Sequence, residues 1–237
     1  MATNYSPNIP TDNLVLHFDC LDKTSYSSGS TTWADLSGND NDGTLSDGTI
    51  GTVSGSERSM AFDFEDNHVV VSDCDLGTAG VAYVCWFRTS TEQNNTYLVA
   101  QGKNLTGSNG YDLGFHGANF GSYCVTTSGA MSNVLVATDF HDGNWHCGAA
   151  AYNEVKNVVY YDGARIGTGG NASGGVDIES TNRLTIGSWV NIEAGPGGVS
   201  KTEIAMVSCY SGTFDSTYGF DEVFKQYFNN TRARFGV

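Results

Sequence analysis

The sequence predicts an all-β fold: a two-sheet antiparallel jelly-roll sandwich that ends in one short α-helix. Three observations predict it. Short apolar runs separated by turn residues recur along the whole 237-residue chain, glycine is abundant (30) while proline is scarce (3), and a single segment near the C-terminus carries helical periodicity. The length suffices to bury a full two-sheet core, so residues 1–237 are expected to form a single domain. A closed antiparallel barrel around a ligand cavity is the alternative fold.

The elements follow in order. Leu14, Leu16 and Phe18 alternate with Val15 and His17, the period of 2 of a half-buried strand. A Ser/Gly/Thr-rich loop leads to Trp33 and then to Asp35–Gly43, where Gly, Asn and Asp supply turn chemistry. Residues 59–64 and 67–71 read as a hairpin around Glu65 and Asp66. GVAYVCWFR, residues 80–88, is apolar on both faces and reads as a buried strand; 96–101 and 111–115 continue the meander, with short strands at 123–126 and 134–138. WHCGAAAY (145–152) pairs with NVVYY (157–161), and Asp162-Gly163 turns the chain into 164–167. Residues 183–187 and 202–209 supply the last strands, while the glycine-rich stretches at 169–170 and 195–198 read as flexible loops. Phe220, Val223, Phe224, Tyr227 and Phe228 fall on one face of a helix over about 216–231, with Asp215 or Ser216 as its cap.

Charge narrows the function classes. With 11 basic against 26 acidic residues the net charge is −15, which disfavours polyanionic nucleic acid and anionic membrane surfaces as partners. The opening Met-Ala-Thr-Asn-Tyr-Ser lacks the basic start and apolar run of a secretory signal, so synthesis and folding in a cytoplasm are expected. The sequons at Asn94, Asn104, Asn171 and Asn229 then carry little weight as glycan sites. None of the six cysteines shows C-x-x-C spacing. Cys85, Cys124, Cys147 and Cys209 lie in apolar runs and read as reduced core thiols; Cys20 and Cys74 lie near strand ends.

LVLHFDC…TTWADLSGNDNDGTL resembles the opening of laminin-G-like, concanavalin-A-like jelly-roll domains. SMAFDFEDNHVVV, GNWHCGAAAYNEVKNVVYYDGARIGTG and RLTIGSW resemble three later segments of the same family, so the resemblance covers most of the chain. It implies a concanavalin A-like fold, one that serves lectins, adhesion modules, glycanases and capsid or fibre parts. The segment from Ser216, with its Arg234-Phe235-Gly236 ending, resembles copies of this domain in tailed-bacteriophage virion proteins. One departure stands out: where family copies carry Gly-Glu-Ile-Asp-Glu, this chain keeps Glu203 but has Ala205 in place of the Asp.

The chemistry-bearing residues are sparse. Retaining glycosidases need two carboxyls about 5–5.5 Å apart; the nearest arrangement is Asp63 and Glu65, which read better as a strand end and turn. Asp35, Asn39, Asp40, Asn41 and Asp42 offer oxygens for a calcium ion, and turn chemistry accounts for the same residues. His17, His68, His116, His141 and His146 read as surface or strand-end histidines, the last two flanking a turn at 142–144. Trp86 and Trp145 read as core, and Trp189 as the tryptophan better placed for an exposed contact; of the adjacent Tyr160 and Tyr161 one must face outward. No catalytic, cofactor-binding or metal-ligating residue is assigned, and no cofactor is expected, calcium being the one ion considered.

The expectation is therefore a non-enzymatic virion structural protein. It would be a capsid decoration protein or surface fibre module located on the virion. Its partners would be viral capsid or tail proteins, and it would act as a homo-oligomer or bound to a lattice, with no nucleic acid and no membrane. A glycan-binding, lectin-like module recognising host surface carbohydrate is the alternative.

Overall fold

A computed structural model describes residues 8–46, 59–62, 67–72, 74, 76–77, 79–92, 95–104, 108–169, 174–176, 183–191, 195–197, 201–212, 214 and 220–237. The strands in chain order are β1 (Leu14–Asp19), β2 (Thr32–Trp33), β3 (Gly43–Leu45), β4 (Met60–Ala61), β5 (Val69–Val71), β6 (Val81–Arg88), β7 (Thr96–Asn104), β8 (Ser108–His116) and β9 (Asn119–Val125). They continue with β10 (Met131–Ala137), β11 (His146–Tyr152), β12 (Asn157–Tyr161), β13 (Ala164–Thr168), β14 (Leu184–Ile186), β15 (Trp189–Asn191), β16 (Gly195–Gly197) and β17 (Glu203–Ser211). Helix α1 (Asp221–Thr231) and a 3-10 turn (Arg232–Arg234) follow. A seven-stranded sheet, ordered β1-β17-β6-β11-β12-β13 with β4 on β17, faces an eight-stranded sheet ordered β10-β9-β8-β7-β14-β5-β3-β2. The predicted all-β sandwich with one C-terminal helix is what forms.

Alternation along each strand builds the core between the sheets. Val81, Tyr83, Cys85 and Phe87 of β6 point inward and meet Tyr111, Leu113, Phe115 and Phe120 of the facing sheet; Phe87 packs edge-on to Phe115 at 5.4 Å and stacks on Phe120 at 5.6 Å. The opposite face of β6, Ala82, Val84 and Trp86, belongs to a second core with Ala149 and Ala151 of β11, Ala205, Met206 and Tyr210 of β17, and Phe220, Phe224 and Tyr227 of the C-terminal segment. Four alanines on this face let the helix come close. Its aromatic stripe then fills the space above them.

The chain's end fastens this cover. Phe235 stacks on Trp86 at 4.1 Å, and the Trp86 indole donates to Thr231 Oγ1 at 2.8 Å. Arg234 donates to both carboxylate oxygens of Asp19, at 2.8 and 3.2 Å, and Asp19 is fully buried. Tyr160, which faces outward from β12, is likewise buried beneath Phe224 and donates to Asp221 at 2.7 Å.

Several expectations need correction. Residues 60–61 and 69–71 do not form a hairpin: β4 pairs with β17 in one sheet and β5 with β3 and β14 in the other, so the chain crosses between sheets there. Alternation alone cannot distinguish these arrangements, because each strand buries one face in either case; the turn residues 65–66 lie outside the described residues. Residues 195–197, read as loop, pair with β15. Helix α1 starts at Asp221, with Phe220 at its N-cap position and no side-chain cap bond; Asp215 and Ser216 lie outside the described residues. His17, His68 and His116 are buried rather than superficial. All six cysteines are buried thiols.

His17 sits under the C-terminal segment, where its Nδ1 lies 2.9 Å from Ser208 Oγ, which in turn donates to Tyr227. Nδ1 therefore carries the proton of the neutral ring, and Nε2 is buried without a partner. Burial, the largest cause, lowers this histidine from 6.5 to about 4 in spite of the nearby Asp19 and Asp35 charges.

Two predictions follow from this packing. Arg234→Ala leaves the buried Asp19 charge without its cation and is expected to cost about 3–5 kcal/mol in urea denaturation, whereas Arg165→Ala, which breaks the partly exposed pair with Asp221, is expected to cost less than about 1 kcal/mol. Because the folded state holds His17 neutral, its stabilising effect is complete above the unfolded value of 6.5 and is lost as pH falls toward about 4. The expected loss is about 3 kcal/mol over that window, and His17→Gln should flatten that part of the stability–pH curve.

Candidate functional site

The loop proposed for calcium is occupied by its own hydrogen bonds. Asp35 Oδ1 accepts from the amides of His17 and Ser37, both at 2.9 Å, and Oδ2 accepts from Ser37 Oγ at 2.6 Å and the Asn41 amide at 3.1 Å. Asp42 accepts from the Asp35 amide at 2.8 Å. Ser37, Asn39 and Asn41 side chains donate to the Val15 carbonyl. The loop caps the outer edge of β1, which as an edge strand would otherwise leave its carbonyls unpaired. Among the described residues no group of three or more His, Cys, Asp or Glu is placed to hold a metal ion.

The remaining sequence candidates disperse. Asp63 and Glu65 lie outside the described residues, as does the side chain of Trp189. Trp33 and Trp86 are fully buried. Ala205 is buried in the second core, and the neighbouring Glu203 accepts from Ser59 Oγ at 2.6 Å and from Arg88 at 2.9 Å.

Glu203 belongs to a cleft at one end of the sandwich. The ends of β6 and β17 and two turns converge there. One hollow of about 440 Å³ is lined by Phe62, Arg88, Thr89, Ser90, Lys201 and Glu203 among others. A second, of about 360 Å³, is lined by Asn144, Trp145, His146, Asp162 and the tail residues Phe235 to Val237. Arg88 and Gly143 line both hollows, so the two adjoin.

Arg88 and His146 are each held by carboxylates near this junction. The Arg88 guanidinium pairs with Glu203 and lies 4.9 Å from the ring centre of Trp145, a cation–π contact. His146 lies between two carboxylates, its Nδ1 at 2.8 Å from Asp162 and its Nε2 at 3.1 Å from Asp142. Burial lowers the affinity of His146 for its proton, but the bonds to Asp162 and Asp142 outweigh it and raise the ring above 6.5. At Asp142 slight burial opposes ionisation; the Asn144 amide and side chain together with His146 overcome it and hold the carboxyl at about 2. The 142–144 turn is tied on its other side by the Gly143 amide, which donates to the Thr89 carbonyl at 3.0 Å, and Gly143 takes a φ of 83° there.

Sequence reasoning read Trp145 as core and His141 and His146 as surface or strand-end histidines, and it did not find the partners that meet them here. Arg88 closes an apolar strand, Glu203 opens another, and Asp162 sits in a hairpin turn. They are far apart in sequence and meet only because β6 pairs with both β11 and β17.

The family described as the concanavalin A-like lectin/glucanases superfamily matches residues 63–214. No curated protein matches the chain. Among solved structures, the binding domain of Paraclostridial Mosquitocidal Protein 1 superposes with a TM-score of 0.66 at 13% identity, over 92% of this chain and 52% of that one. The binding domain of Botulinum Neurotoxin DC in complex with SialylT gives 0.65 at 12%, over 93% and 51%. Domain 4 of AbnA, a GH43 extracellular arabinanase from Geobacillus stearothermophilus, in complex with arabinotriose, gives 0.64 at 14%, over 91% and 98%. The chain thus spans about half the length of the toxin binding domains and nearly all of the arabinanase domain. At these identities the likeness shows the fold.

The Arg88 and Glu203 side chains are 24% and 32% exposed, so their pair adds little to folding. Glu203→Ala is expected to change unfolding free energy by less than about 1 kcal/mol; a thermal or urea unfolding curve measures it.

Proposed function

This chain belongs to the concanavalin A-like lectin/glucanases superfamily, and from that premise we propose that it is a non-enzymatic carbohydrate-binding module whose ligand is an uncharged glycan held in the Arg88–Glu203 cleft. The observation that carries the reading is the pair of adjoining hollows that share Arg88 and Gly143. Their sizes suit a small oligosaccharide, and their walls present donors and acceptors that include the Arg88–Glu203 and His146–Asp162 pairs. Such groups hydrogen-bond sugar hydroxyls strongly without demanding a charged ligand. An acidic glycan would meet Glu203 in one hollow, Asp162 in the other and a net charge of −15. The AbnA domain bound to arabinotriose, nearly all of which this chain covers, supports carbohydrate recognition on this fold.

Binding rather than hydrolysis is favoured by the state of the carboxyls. A glycosidase needs one carboxyl that keeps its proton near neutral pH. Asp142 is held at about 2, and Glu203 is committed to Arg88 and Ser59. A virion surface, as a decoration or fibre module, is the setting we propose for this binding, on the resemblance of the C-terminal segment alone. Repetition over a particle would multiply a weak single-site affinity.

The test is a glycan array followed by calorimetry on the hits, with arabinotriose and a matched uronic-acid oligosaccharide included. Neutral oligosaccharides should bind and the acidic one should not. Arg88→Ala should weaken binding roughly 10- to 100-fold, the loss of charge-assisted hydrogen bonds, while leaving the protein folded. No glycan bound, or binding indifferent to Arg88→Ala, would overturn the proposal.

A further inference from the structure

We propose that His146 is a positioning residue of this cleft, holding the 142–144 turn and the Asp162 turn together through its two ring nitrogens so that the shape of the cleft wall is proton-linked. The inference rests on the cleft being the binding site and goes beyond that reading by naming what controls it. Only the doubly protonated imidazolium donates to both carboxylates at once. A neutral ring keeps one N–H, and its other nitrogen then turns a lone pair toward a carboxylate. One of the two turns loses its hold.

The contacts on either side make this more than an isolated ion cluster. Asp142 Oδ1 also accepts from the Asn144 amide at 2.8 Å, and Asp162 Oδ1 accepts from the Cys147 amide at 2.9 Å. Each carboxylate therefore organises backbone on its own side, and His146 couples the two. Gly143, inside the first turn, lines both hollows. The ring is fixed in orientation by stacking on Tyr161 at 4.9 Å and by Phe87 at 6.1 Å.

The groups facing His146 come from several elements. Asp142 comes from the turn before β11, Asp162 from the β12–β13 turn and the un-ionised Tyr161 phenol from β12. Arg88, at the end of β6, is neutralised by Glu203 of β17. The tail contributes Phe235, Gly236 and Val237 to the same hollow. Asp142 stays ionised throughout the neutral range, and the proton affinity of His146 between the two turns is raised. The raised proton affinity fixes the sign: the coupling is complete below 6.5 and is lost as pH rises through the higher folded-state value.

The experiment is an NMR titration of the full chain without any sugar, from pH 5 to 9, following the His146 ring and the backbone amides of Gly143, Asn144 and Cys147. The ring should titrate above 6.5, and the Gly143 and Asn144 or Cys147 amides should shift with the same midpoint. In His146→Gln, whose amide cannot gain or lose a proton, those amides should lose that transition while the rest of the spectrum stays native. A ring that titrates while the amides remain flat, a ring midpoint at or below 6.5, or amide transitions that persist in His146→Gln would overturn the proposal. Because no glycan is present, these results stand apart from the success or failure of the carbohydrate reading.

Discussion

The Trp86 indole lies on the outer face of β6 between two rings of the C-terminal segment, Phe235 at 4.1 Å and Phe228 at 5.8 Å, and donates to Thr231. A sheet in a two-layer sandwich normally shows one face to water. Here β6 is apolar on both faces, so the outer face needs a cover. The aromatic stripe of α1 and the Phe235 ring supply it. Arg234, pairing with the buried Asp19 carboxylate, ties the end of the chain to the end of the first strand. The second core, the buried state of Tyr160 and the neutral His17 are all consequences of that cover.

The same closure shapes the cleft. Phe235 leans on Trp145 at 5.1 Å as well as on Trp86, and Arg88 lies against Trp145. The tail thus forms one wall of the hollow whose other walls include His146, Asp162 and Arg88. Folding and site construction share residues: the aromatic packing that stabilises the sheet also sets where the polar groups of the cleft stand. The capped edge of β1 is a second instance of polar residues serving architecture, since the Asp35 loop uses its oxygens to bind its own amides.

The fold was legible because its signals are local. Alternation marked most of the strands, the Asp162-Gly163 pair marked a hairpin, and positive φ at both residues confirms that turn. The helical stripe of Phe220, Phe224 and Tyr227 marked α1 and its docking face. Sheet membership was not legible for residues 60–71, because a strand's alternation does not name its partner. The cleft was even less so. Its members come from β6, β11, β17 and two turns, and each looks ordinary in its own segment. Tyr160 shows the limit well: outward-facing by alternation, it is buried because an element from the far end of the chain lies on top of it.

Native-state hydrogen exchange on the purified chain tests the central claim, that the C-terminal cover is part of the cooperative fold. If it is, amides in α1 should open at a free energy within about 1 kcal/mol of those in β6, and both should fall together as denaturant is added. If α1 exchanges at nearly no cost while β6 keeps its full protection, the segment is an independent appendage and the account of the second core is wrong.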